Sequence, residues 1–170
     1  MMDKIEFKKI LFKVAFCTMA SDGDIDKGEI AEIKLMGKKA NYFSNINLSN
    51  ELDLLIADFK SKGVGIIEGL FDEVAQANLN PIQELLLLEV TIRVIYADKI
   101  VDENEKKFFR FLRSKLKISN NIISDRFGDI SDIYDLQTGA NLNIKQEEFN
   151  FKMPDISEIV KVDFIDDNKK

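Results

Sequence analysis

Six carboxylates recur in the same order at two places in the chain. Asp22, Asp26 and Glu29 form the first set; Asp98, Asp102 and Glu105 form the second, 76 residues later. Both sets fit Asp-x-x-[Ile/Val]-Asp-x-x-Glu, with Ile25 and Val101 at the apolar position. Carboxylate oxygens are hard donors, so the chemistry on offer is binding of Ca²⁺, Mg²⁺ or Mn²⁺ rather than Zn²⁺ or Cu²⁺. Paired carboxylates can also carry acid–base hydrolysis, although no substrate-pocket signature accompanies them. The chain has no His, which removes the commonest transition-metal ligand and the commonest general base. An EF-hand fails on spacing: counting from Asp22, position six is Lys27 instead of Gly and position twelve is Ile33 instead of Glu.

The six acids divide by position. Asp26 with Glu29, and Asp102 with Glu105, have the spacing of a helix capping box, and an acid in the first turn complements the helix dipole. Helix capping alone explains these four. Asp22 and Asp98 follow an apolar helical run, where a negative charge opposes the dipole. A bound cation or a set of backbone donors would account for them, so these two are the leading ligand candidates.

Helices must position such corners. Phe7, Ile10, Leu11, Val14 and Thr18 recur at helical spacing and predict a first helix over about 4–20. Ile30, Ile33, Gly37 and Ala40 line a second, ending near Tyr42-Phe43. Asn47 or Ser49 can cap a third that carries Leu52, Leu55, Ile56 and Phe59; Gly63 and Gly65 break it. A fourth carries Ile66, Ile67, Leu70, Phe71 and Val74 and ends around Asn78. Asn80-Pro81-Ile82-Gln83 is a strong start signal for a fifth, which is apolar nearly all round and should be the central buried helix. Phe108, Phe109, Phe111 and Leu112 mark a sixth with two apolar faces, one of them free for a partner or the tail; Ser119 can cap a seventh. Beyond about residue 125 the period shortens: Phe149, Phe151 and Met153, then Val160, Val162 and Phe164, alternate with polar residues around Pro154 and read as two extended segments.

Each acidic corner thus lies between two helices, and the helix-corner-helix unit occurs twice. The first corner, Ala20-Ser21-Asp22-Gly23-Asp24-Ile25-Asp26 with Glu29, resembles the TerB-like tellurite-resistance family; a related domain precedes the J-domain of certain membrane-anchored co-chaperones. The second keeps Ala97-Asp98 but has Lys99 where the family usually has Gly. The resemblance covers about residues 4–124. It implies an all-α bundle of about seven helices with pseudo-two-fold repeats, a cytoplasmic stress-response setting, and acidic residues that bind a divalent cation. The expected organisation is a helical domain over 1–124 and an acidic C-terminal appendage over 125–170.

Composition narrows the classes. Residues 1–124 carry 18 Lys/Arg against 19 Asp/Glu, whereas 125–170 carry 6 against 11. A near-neutral body with an acidic tail argues against a nucleic-acid binder, which needs a basic face. No run approaches the roughly 20 apolar residues of a membrane span, and Glu89 and Arg93 interrupt the longest, Leu85–Tyr96. The apolar N-terminal run, interrupted by Lys13, reads as a helix of the fold rather than a signal peptide. The lone Cys17 has no partner for an internal disulfide and sits among apolar neighbours, where a buried inert thiol is expected. The expected function is a non-enzymatic module that holds a divalent cation at its acidic corners and docks a protein partner. A metal-free scaffold whose acids are caps only is the alternative, and a metal-dependent hydrolase the third.

Overall fold

The computed structural model describes residues 3–21, 23, 26–39, 41–97 and 100–136, and these are all helix, turn and loop. Seven helices occur among them: α1 Lys4–Ala20, α2 Lys27–Lys39, α3 Leu48–Lys62, α4 Gly65–Gln76, α5 Pro81–Tyr96, α6 Glu103–Ser114 and α7 Asn120–Phe127. The segments expected to be extended, around Phe149–Met153 and Val160–Phe164, lie outside the described residues.

Side-chain caps start most of these helices. Asp3 accepts from the Ile5 N–H at 2.7 Å, and Asn47, not Ser49, accepts from Asn50 at 3.1 Å. At α5 a full capping box forms: Asn80 accepts from the Gln83 N–H at 2.8 Å, and Gln83 accepts from the Asn80 N–H at 3.0 Å. Pro81 then occupies the first turn, where its missing N–H costs nothing. Ser119 opens α7 by accepting from Ile122.

Two boundaries differ from the apolar pattern. Helix α2 stops at Lys39, because Asn41 and Asn45 take φ of 58° and 69° and turn the chain. The turn swings Phe43 inward, where its ring meets Phe12 edge-on at 5.4 Å. Phe43 continues the apolar count of α2 without belonging to the helix. Gly63 closes α3 at φ 62°, but Gly65 is the first residue of α4 and breaks nothing.

The core is built on the crossing of α1 and α5. Centrality is shared rather than held by α5 alone: α1 is buried from Ile10 to Ala20 except at Lys13. Thr18 and Thr91 are fully buried there, and their hydroxyls donate to the Val14 and Leu87 carbonyls of their own helices, at 2.7 and 2.8 Å. Neither hydroxyl is stranded by the close crossing. Helix α2 packs against α5 and α6 packs against α1, while each also packs against the helix before it in the chain. Exchanging the two helix-corner-helix units maps this set of contacts onto itself. Helix α4 lies against α1, α3 and α6, and α7 lies on α5.

The apolar faces of α6 are both covered. Phe108, Phe109 and Leu112 are fully buried, and the half-buried Phe111 stacks on Phe71 at 5.7 Å. The packed body continues past residue 124, since α7 runs across it and Ile130, Ile133 and Tyr134 all enter the core. Among the described residues no helix is long and apolar enough to cross a membrane.

Burial predicts where truncation hurts within α5. Leu87→Ala, at a position with no exposure, should lower the free energy of urea unfolding by about 2–5 kcal/mol. Ile82→Ala, 71% exposed at the start of the same helix, should stay within about 0.5 kcal/mol of the parent.

Candidate functional site

The first corner begins where α1 ends. Ser21 is wholly buried, its N–H and hydroxyl both donating to the Thr18 carbonyl, and the Gly23 N–H donates to Ala20 at 3.1 Å. Gly23 has a φ of 86°, a conformation that glycine adopts without penalty and that turns the chain out of the helix. The corner ends at Asp26, whose Oδ2 accepts from the Gly28 N–H at 2.7 Å and the Glu29 N–H at 3.2 Å. These are orphan donors of the first turn of α2, so Asp26 is its N-cap.

The second corner closes in the same way. Asp102 Oδ1 accepts from the Asn104 N–H at 2.8 Å, and Glu105 Oε1 accepts from the Asp102 N–H at 3.1 Å, completing a capping box. Glu29 and Glu105 occupy matching places in α2 and α6 and have no exposed surface. The expected capping roles of Asp26, Asp102 and Glu105 are therefore visible as hydrogen bonds. Asp22, Asp24 and Asp98 lie outside the described residues. Among the described residues, no group of three or more Asp, Glu or Cys side chains is close enough to hold a metal ion.

The two corners meet. A Cβ placed on Gly28, in the first turn of α2, would stand 3.2 Å from the backbone oxygen of Ala97 and 2.8 Å from Asp26 Oδ2. Ala97 is the C-cap of α5 and immediately precedes Asp98 in sequence. The positive N-terminal end of α2 is thus seated against the carbonyl-bearing end of α5, with opposite ends of two dipoles in contact. No basic residue stands in the last turn of α1, and Arg93 in the last turn of α5 is engaged by Glu32 of α2 at 2.6 Å.

Sequence reasoning missed two carboxylates of α5. Glu84 is almost fully buried, and its Oε1 accepts from the N–H groups of Lys117 and Ile118, both at 2.9 Å. Glu89 accepts from the Tyr42 hydroxyl through one oxygen and from Arg126 through the other. Burial and this bond to Glu89 push the Tyr42 phenol above its ordinary pKa. Charges on an otherwise apolar helix were the available signal; their partners lie more than thirty residues away in sequence. Cys17 is buried as expected, and burial pushes its thiol from 9.0 up to about 12.

Two outcomes follow from this geometry. Alanine ordinarily gains about 1 kcal/mol over glycine inside a helix. Gly28→Ala should instead cost about 1–3 kcal/mol in urea unfolding, because its methyl must displace the cap or the α5 carbonyl. The second outcome concerns Cys17. Below pH 9 both folded and unfolded chains keep the thiol proton; above it the unfolded chain loses the proton while the folded chain holds it to about 12. The unfolded state then binds fewer protons, so this contribution to stability falls by about 1.4 kcal/mol per pH unit across that window. Unfolding free energies of the parent and Cys17→Ala should converge by that slope above pH 9.

No protein-family model matches the chain, and neither a curated protein nor a solved structure resembles it at a significant level.

Proposed function

We propose that the chain is a TerB-like, non-enzymatic binding module whose two acidic corners act together as one site for a divalent cation. The observation that carries the reading is the seating of Gly28 against the Ala97 carbonyl, which brings the corners to one end of the bundle. Asp22 and Asp98 directly follow Ser21 and Ala97, the C-caps of α1 and α5. Asp22 and Asp98 would bring two carboxylates to that end, and a cation would offset their repulsion. Asp22 and Asp98 would be the principal ligands, and Asp26 and Asp102 have carboxylate oxygens beyond those used in capping. Oxygen donors alone favour Ca²⁺, Mg²⁺ or Mn²⁺. The ion stiffens the corner, and the helical surface docks a protein partner in a cytoplasmic stress-response setting.

A second reading has its own support. Asp26, Asp102 and Glu105 already serve as caps, which is all that a metal-free interaction scaffold asks of them. Thermal unfolding separates the two. The cation reading expects the midpoint to rise when Ca²⁺, Mg²⁺ or Mn²⁺ replaces chelator, by an amount equivalent to about 2.7 kcal/mol at a hundredfold excess over Kd. Asp22→Asn combined with Asp98→Asn should abolish the rise. A parent midpoint indifferent to all three ions leaves the scaffold reading standing.

A further inference from the structure

We infer that residues 117–136 form a strap that opens as a unit of its own, ahead of the rest of the bundle, and that two carboxylates of α5 latch it shut. The inference is independent of the cation site. Helix α7 is only eight residues long and has one buried residue, Ile123, whereas α1 buries nearly everything after its second turn. A helix of that length does not persist without packing. Its far end is released by Gly128 at φ 75°, and an open cavity of about 650 Å³ lies between it and the following loop, lined by Ser124, Ile130, Tyr134 and Leu136 among others. A short helix with one buried residue and an open cavity at its end mark a segment with a lower opening free energy than α1 or α5.

Ile118, Ile123, Ile130, Ile133 and Tyr134 seat the strap in the core, and polar groups at its two ends add to that packing. Glu84 clamps the start of the strap through the Lys117 and Ile118 N–H groups, and Glu89, five residues along α5, clamps the end of α7 through Arg126. The strap is braced internally where Asn120 donates to the Leu136 carbonyl at 3.0 Å, and Arg113 of α6 adds a tether to the bundle by donating to Asn120 at 2.8 Å. That brace makes 120–136 move together rather than fray. The Tyr134 ring lies 5.5 Å from Phe109 beneath it.

Native-state hydrogen exchange of the full chain in rising sub-denaturing urea tests this. Amides of 120–136 should exchange at least about a hundredfold faster than those of α5, through an opening whose dependence on urea is clearly smaller than that of α5. Glu89→Gln should speed strap exchange about threefold to tenfold and Glu84→Gln about tenfold or more, with α1 and α5 unchanged. Glu73→Gln, which removes the ion pair with Lys13 between α4 and α1, should leave the strap as it was. Should Glu84→Gln fail to fold, Glu89→Gln carries the test. Strap amides that exchange with α5 at the same urea dependence would overturn the inference. So would a Glu89→Gln variant that leaves the strap unchanged or speeds α1 and α5 equally.

Discussion

The backbone oxygen of Ala97 lies 3.2 Å from the point where a side chain on residue 28 would begin, and much of the molecule is organised by that approach. It sets how deeply α2 sits on α5, and so joins the two halves of the chain at their corners. Only glycine leaves room for it. The contact is favourable as well as tight, since the N-terminal end of one helix dipole meets the C-terminal end of another. Helix α6 packs against α1 as α2 packs against α5.

Charge at this junction is distributed with little slack. Asp26 and Asp102 answer the orphan N–H groups of α2 and α6, and Glu29 and Glu105 are buried behind them. Burying a carboxylate is expensive unless hydrogen bonds or an opposite charge compensate it. Glu105 accepts from the Asp102 N–H. Nearby Arg93 is committed to Glu32. The electrostatics of the corners, rather than any pocket, are what recommend a cation.

Much of the helical layout was legible in the sequence because local chemistry dictated it. Asn80-Pro81-Ile82-Gln83 announced α5, Ser119 announced α7, and the Asp102–Glu105 spacing announced a capping box that forms bond for bond. Other features depend on partners distant in the chain. Phe43 looked like the last turn of α2, yet it is a turn residue folded into the core by two asparagines in left-handed backbone. Glu84 drew no reading from the sequence, while its structural role is to bind the backbone of residues 117 and 118. Gly28 gave no local signal at all, because what excludes a side chain there is a carbonyl at the end of α5. Periodicity reports which residues are buried; it does not report what they are buried against.

The claim that the corners form one site is tested most directly by titrating the full chain with Mn²⁺ and following the free ion by electron paramagnetic resonance. The account predicts loss of the free signal at a stoichiometry of one ion per chain, with Asp22→Asn and Asp98→Asn each weakening that same event. An undiminished free signal, or two independent ions each lost with only one of the two substitutions, would contradict it.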